Sequence, residues 1–469
     1  MDYDVIVLGL GPGGEEVAAR LAEAGKSVLA ADPHLVGGEC PYYGCIPSKM
    51  ILRGAEMLAE ARRINGFAGS ATVSPDYTPI ARRIRDEATD DWDDTVAVER
   101  LEGQGATFAR AAGALLGRDE DGKLRVDVGG ETHRAATVVL STGTAPAVPP
   151  IRGLRELQVR GSGPHKLIWT NREAVQATTP PSSLVVIGGG AIGCELGQGF
   201  SRFGSKVTIV EAAPRILMPE EPEASAVVAD VFAREGIDVR QGVGVASVTE
   251  AAAGAAVTLE DGSVLEAATV LVAAGRRPNL ANIGLETVGL AADARTVDID
   301  ETMQVQGPDG AIEGLYSVGD ITGHGAFTHV SVWQARVLIA HLLGRESLYG
   351  GYDGLAWATF TDPEVGRVGM SEQQARDRGL TVRVGSEPMP SSARGWIHGP
   401  GNDGLVKIVE DADRGVLVGA TVVGPHAGEV LGLLTLAVHA AVPTKTLATM
   451  HYAYPTLHRA ILDAVRKLA

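Results

Sequence analysis

Two stretches of the chain repeat one pattern, and that repetition narrows the available folds more than any other feature. DYDVIVLGLGPGG runs from an apolar segment, Val5 to Leu8, through Gly9, Gly11 and Gly14 into the helical stretch EEVAARLAEAG; SVLAAD then ends in Asp32. SLVVIGGGAIGCELGQGFSRFGSKVTIVE does the same through Gly188, Gly190 and Gly193 and ends in Glu211. In both copies the acid follows the first glycine by 23 residues. A single G-x-G-x-x-G is weak evidence, but a repeat at this spacing is a dinucleotide-binding fingerprint used twice. The glycines let backbone approach a pyrophosphate at a helix N-terminus, and the acid takes ribose hydroxyls.

Each copy also closes alike, with AATVVLSTGTAP at Ala135–Pro146 and AATVLVAAGRRP at Ala267–Pro278. The first copy is longer, and its extra residues hold Cys40, Cys45 and two helical patterns. EGLYSVGDITG then runs into Gly319-Asp320, followed by an apolar helix from about Ser331 to Leu343. From about Glu346 the chain mixes helix with strands such as LVKIVED and GVLVGATVVG and ends in a helix near Ala460; RGWIHGPGNDG, Arg394 to Gly404, reads as a mobile loop. The expected architecture is α/β: two Rossmann-like dinucleotide-binding domains plus a C-terminal α/β domain. The boundaries fall at 1–150 with 277–345, at 151–276, and at 346–469. A chain of 469 residues suffices for them at roughly 150 residues each.

A net charge of −17 with no long basic run argues against a nucleic-acid or anionic-membrane partner. Eighteen apolar residues never run together, and the first residues lack the basic start of a secretion signal, so a cytoplasmic protein is expected. Three cysteines cannot make a disulfide scaffold, yet Cys40 and Cys45 sit five apart in GGECPYYGCIPSK. In a reducing compartment such a pair is redox-active or metal-binding. On a regular helix they would lie ~7.5 Å apart along the axis, too far to bond, so a disulfide requires a distorted helix. Pro41, Gly44 and Pro47 supply reasons for distortion. The metal reading lacks a nearby His or Cys companion.

The order of G-x-G-x-x-G, GGxC-x4-C-x-PSK, STG, a second G-x-G-x-x-G with Glu195, AAGRRPN and GLYSVGD resembles the FAD-dependent pyridine nucleotide-disulfide oxidoreductases. TDPEVGRVGMSE and VVGPHAGEVL extend the resemblance over essentially the whole chain, dihydrolipoamide dehydrogenase-like in character. The resemblance implies that Gly9, Gly11, Gly14 and Asp32 hold the ADP part of FAD and that Asp320 holds its ribitol side. Gly38, Lys49, Thr142, Gly143, Gly275 and Gly319 are cofactor-binding by the same resemblance. It implies that Gly188, Gly190, Gly193 and Glu211 bind the second coenzyme. A carboxylate at 211 suits the 2′-hydroxyl of NADH and would repel the 2′-phosphate of NADPH; Arg215 leaves a route to NADPH. Cys45 is then the flavin-facing member of a redox-active disulfide, and Cys40 the exchanging one. Lys49 and Glu195 form an ion pair beside the flavin, and Cys194 is a small packed residue. A homodimer and a small-molecule electron acceptor follow from the same resemblance.

One departure stands out. Disulfide reductases of this family carry His-Pro near the C-terminus with Glu five residues after the His, as acid and base for the exchange cysteine. Here MHYAYPTLHRAI puts Tyr454 and Arg459 at those positions. A phenol near pKa ~10 is a poor base at neutral pH where imidazole near ~6.5 is well matched. His458, one helical turn beyond Tyr454, and His451 are the nearby substitutes. The pattern suits a disulfide acceptor only with slow exchange, and opens quinones, dyes and metal ions as acceptors reached directly from the flavin. Mercury fits less well, because the chain ends without vicinal cysteines. The remaining alternative is a nucleotide-responsive binding subunit that has lost catalysis.

Overall fold

Val5, Ile6, Val7 and Leu8 are all buried, so the strand Asp2–Leu8 must lie inside a sheet covered on both faces. In the computed structural model, which describes residues 1–468, it does. It pairs in parallel with Val28–Ala31 on one side and Glu131–Leu140 on the other, Val7 standing opposite Ala30 and Val139. Thr107–Ala109 and Gly310–Ser317 extend the two sides, also in parallel. Alternation then sorts the side chains. Val5 and Val7 pack with Val17, Leu21 and Leu338 of the helices Pro12–Glu23 and Thr328–Leu342, while Ile6 and Leu8 pack with Leu115, Leu124 and Leu285. These segments belong to one compact unit, Met1–Pro47, Arg83–Pro146 and Arg276–Gly351.

The other unit comprises Ser48–Arg82, Ala147–Gly275 and the chain from Tyr352 onward. Its parallel sheet runs Asp238–Gln241, Lys206–Glu211, Ser183–Ile187, Thr269–Val272, Ile168–Trp169. An antiparallel sheet runs Ala356–Thr359, Glu364–Gly369, Val416–Gly424, Leu405–Asp411, Val382–Pro388. The mixed α/β class read from the sequence holds, with the parallel dinucleotide-type sheets and an antiparallel C-terminal sheet. All of Leu405–Asp411 is buried, including Lys407, whose side chain is only 4% exposed and lies 3.0 Å from Glu221, 2.8 Å from Glu223 and 2.9 Å from Glu372. Removing the cation strands the buried Glu221 carboxylate. Lys407→Met is therefore expected to lower stability by about 3 kcal/mol, read as a drop in the urea midpoint at unchanged slope.

Three local expectations need correction. The helix placed from Ser331 begins at Thr328, because a helix's first turn needs no apolar residue and the periodicity is silent there. The segment between the first fingerprint and its closing strand holds four helical stretches rather than two: the single turn Glu39–Tyr42, then Cys45–Arg63, Thr78–Arg83 continued by a π turn at Ile84–Ala88, and Thr95–Gly103. The glycine-rich stretch from Arg394 is not all loop. Ala393–His398 is helical, with Ser392 Oγ accepting the Gly395 N–H at 3.0 Å as its cap. No helix among the described residues is long and apolar enough to cross a membrane.

Candidate active site

The two fingerprints are built by the same contacts. At the end of its strand, Asp32 accepts the Leu10 N–H at 2.6 Å through Oδ2 and the His34 N–H at 2.7 Å through Oδ1. Glu211 accepts the Gly189 N–H at 2.6 Å through Oε2 and the Ala213 N–H at 2.7 Å through Oε1. Every oxygen keeps a further lone pair for a hydroxyl donor. The first glycine of each copy is left-handed, Gly9 at φ +94° and Gly188 at φ +110°, and a Cβ there would stand 2.3 Å from Ser141 O and 2.4 Å from Ala273 O. The third, Gly14 or Gly193, lets its helix close on the loop: a Cβ would be 2.0 Å from the carbonyl oxygen of Gly9 or Gly188. Around Gly11 and Gly190 nothing lies within 4 Å of a built Cβ. Those open positions are where an incoming phosphate group can meet the backbone.

Around the first copy, Gly38 comes against Gly11, a Cβ there standing 2.8 Å from Gly11 Cα. Thr142 O and Gly143 O accept the side chain and the backbone N–H of Asn279, at 3.0 and 2.9 Å. Thr142 Oγ1 is buried without a hydrogen-bond partner. An orphaned hydroxyl in the loop that follows Ser141, next to an open glycine loop, fits a polar cofactor at this face. Asp320 accepts the Thr144 hydroxyl at 2.6 Å, and Thr144 Oγ1 accepts Arg276 Nε at 2.7 Å. Arg276 also pairs with Glu39 at 3.2 Å, so a polar chain joins Asp320 to the residue beside Cys40. Gly319, at φ +86°, donates its N–H to Gln334 at 2.6 Å, and Gly275 is left-handed at φ +105°. In the second copy, Arg215 is engaged by its own loop, donating to the carbonyls of Leu217, Met218 and Glu220 at 3.0, 2.8 and 2.8 Å.

The cysteines do not share a regular helix. Glu39–Tyr42 makes one turn, Tyr43 leaves helical geometry at φ −133°, and a new helix starts at Cys45. Both cysteines are thiols. Cys45 Sγ lies 3.5 Å from the hydroxyl oxygen of Thr328. Cys45 and Thr328 are each the first residue of a long helix, Cys45–Arg63 and Thr328–Leu342, so negative charge on Cys45 is favoured by two helix starts. The neighbouring Cys45 sulfur, then burial, push the Cys40 thiol up, while the Thr328 hydroxyl pulls it down. The pair is thus asymmetric: the proton belongs on Cys40. Among the described residues no group of three or more His, Cys, Asp and Glu side chains could hold a metal.

In the second unit Lys49 Nζ is 2.7 Å from Glu195 Oε2, and Glu195 Oε1 accepts the Phe360 N–H at 2.8 Å. Cys194 is fully buried and donates to Gly189 O at 3.3 Å; burial pushes its thiol up, which leaves it a packing residue. Tyr454 is 74% exposed. His458 is held near its own neighbours, Nε2 3.5 Å from Thr456 Oγ1 and its ring 5.8 Å from that of Tyr452. Arg459 pairs with Asp463 at 2.7 Å, and His451 is exposed. Sequence reasoning missed Thr144, Arg276, Asn279, Thr328 and Phe360. Arg276 and Asn279 lie in RRPN, quoted above only as a motif; Thr328 and Phe360 touch partners far away in the chain and leave no local signal.

Residues 3–335 match the family model described as pyridine nucleotide-disulphide oxidoreductase, and residues 355–465 match its dimerisation domain. A dihydrolipoyl dehydrogenase of Thermus scotoductus is 32% identical over 482 residues, covering 99% of this chain and 97% of its own. The solved structure of LpdA from Mycobacterium tuberculosis superposes with a TM-score of 0.84 at 26% identity, covering 99% of both chains. The HOCl-induced flavoprotein disulfide reductase RclA from Escherichia coli shares the fold, with a TM-score of 0.82 at 23% identity and full coverage of both chains.

Proposed function

The chain belongs to the pyridine nucleotide-disulphide oxidoreductase family, and from that membership we propose that it is an NADH-dependent FAD enzyme working through a Cys40–Cys45 disulfide. The observation that carries this reading is the pair of thiols at a helix interruption, with Cys45 at a helix start and 3.5 Å from Thr328. Gly9, Gly11, Gly14, Asp32, Gly38, Thr142, Gly143, Gly275, Gly319 and Asp320 would hold FAD. Gly188, Gly190, Gly193 and Glu211 would hold NADH. When bound, the flavin supplies a two-electron store between nicotinamide and disulfide. The dimerisation-domain match supports a homodimer.

The protein's own groups do the rest. Two electrons and one proton open the disulfide to a Cys40 thiol and a Cys45 thiolate, the protonation that the asymmetry of the pair favours. The Cys40 sulfur, on losing its proton, attacks an acceptor disulfide and forms a mixed disulfide; the departing thiolate takes that proton. Cys45 thiolate then attacks Cys40, re-forms the intrachain disulfide and releases the second product, which takes a proton from solvent. Lys49, paired with Glu195 at 2.7 Å, would supply a fixed positive charge to the cofactor.

Tyr454 and Arg459 stand where relatives of the disulfide-reductase type carry their acid–base pair. General acid–base assistance is worth about 10²- to 10⁴-fold, so lipoamide or glutathione disulfide is expected to turn over slowly by that factor. This same departure favours a second reading: reduction of quinones, dyes or metal ions directly from the flavin, with the thiols idle. Anaerobic titration with NADH separates the two. Two new thiols and a long-wavelength absorbance band at two electrons support the relay; bleaching of the flavin with both cysteines still oxidised overturns it.

Coenzyme choice gives a separate prediction. Glu211→Ala removes a charge-assisted bond to a ribose hydroxyl and is expected to lower kcat/KM for NADH about tenfold or more. NADPH is expected to gain little in return, because Arg215 is already committed to three carbonyls. Steady-state rates with both coenzymes check this, and a variant that prefers NADPH would show that Arg215 swings free.

A further inference from the structure

We infer that Phe360 is a positioning residue for Lys49, holding the ammonium group in one place relative to the bound flavin. The inference rests on reading Lys49 and Glu195 as the charge pair that serves that cofactor. Phe360 touches both members of the pair. Its backbone N–H occupies Glu195 Oε1 at 2.8 Å, and its ring lies under Lys49 Nζ, 4.7 Å from centroid to nitrogen. Glu195 is almost fully buried, whereas the Lys49 side chain is 36% exposed.

A lysine on a flexible four-carbon stem, tied by one bond, keeps most of its rotamer freedom. A second attraction to a ring face removes much of it. The ring can serve as a fixed platform because the segment carrying it is stapled down. The Asp362 N–H donates to Gln198 Oε1 at 2.8 Å, and Gln198 Nε2 donates back to Asp362 O at 2.8 Å. The Asp362 carboxylate pairs with Arg202 at 2.9 Å and Arg63 at 2.6 Å. Gln198 and Arg202 share a helix with Glu195, and Arg63 shares one with Lys49. The segment is thus bolted to both elements whose charges it aligns. Core filling does not account for the phenyl ring, which is 38% exposed.

Phe360→Leu keeps the backbone amide and much of the volume but removes the aromatic face; Phe360→Tyr keeps the face. In apo-protein whose lysines carry ¹³C-dimethyl labels, the Lys49 resonance, assigned by its loss in Lys49→Arg, is expected upfield in the native and Tyr forms. In the Leu form it moves to the position of a free lysine. In the loaded enzyme, flavin reduction by NADH is expected about two- to fivefold slower in Phe360→Leu and restored in Phe360→Tyr, with a matching fall in flavin midpoint potential. An unshifted Lys49 resonance in the native protein, or a Leu variant with native rate and potential, overturns the inference. The underlying reading is tested separately: if Lys49→Met also leaves reduction by NADH unchanged, the charge-pair role itself falls. If Lys49→Met slows reduction and Phe360→Leu does not, only the Phe360 role does.

Discussion

A Cys45→Ser protein is expected to stay yellow and to be reduced by NADH, yet to lose disulfide turnover by on the order of 10⁴-fold. The reason is covalent. An alcohol oxygen cannot form the intrachain disulfide, so the electron pair has no sulfur acceptor and Cys40 no resolving partner. Helix starts and a hydroxyl at 3.5 Å that favour a thiolate do far too little for a serine hydroxyl. Cys40→Ser should lose disulfide turnover equally but keep the Cys45 thiolate, and with it the long-wavelength band. Quinone rates measured on the same proteins decide between the two readings: rates that survive in both variants place quinone reduction at the flavin. Disulfide turnover retained in Cys45→Ser would remove the cysteine relay altogether.

The second large effect concerns Gly9. A Cβ there would stand 2.3 Å from Ser141 O and 2.6 Å from Ser141 C, backbone atoms that cannot swing aside, and φ is +94°. Gly9→Ala must therefore shift the loop away from the segment after Glu131–Leu140, and the expected product is colourless and less stable by several kcal/mol. Gly11→Ala is the informative contrast. Its Cβ meets nothing within 4 Å, so the apo-protein should fold with a native thermal midpoint while a methyl group fills the space a pyrophosphate needs. Flavin content after purification and calorimetry of both variants check the pair. A Gly11→Ala protein that purifies with stoichiometric FAD would take the cofactor away from this loop.

Much of this was legible in the sequence because the fingerprints are local. The glycine turn, the helix and the terminal acid lie within 23 residues of one another, directly after the strand, and steric limits on glycine positions are written into residue type. The need for a helix interruption at Cys40 and Cys45 was legible for the same reason, since Pro41, Gly44 and Pro47 fall inside the segment they disturb. What was not legible is long-range. Thr328 reaches Cys45 across 283 residues, and Phe360 reaches Glu195 across 165; no periodicity encodes either meeting. The first turn of Thr328–Leu342 was lost because polar starts carry no apolar rhythm. The helix Ala393–His398 was hidden by the glycines that follow it, although Ser392 marked its beginning. Arg215 looked available for a phosphate until its three carbonyl partners were seen.

The matched tethering of Asp32 and Glu211 has a thermodynamic consequence. Each carboxylate is immobilised during folding by two backbone N–H groups, so its rotamer entropy is already spent before a dinucleotide arrives. Ordering a free side chain at the moment of association would cost about 0.5–1.5 kcal/mol; for the ribose contacts proposed above, these carboxylates wait in place. Affinity at both fingerprints is then governed by what the ligand itself must surrender on docking, its own torsional freedom and hydration, rather than by rearrangement of the receptor.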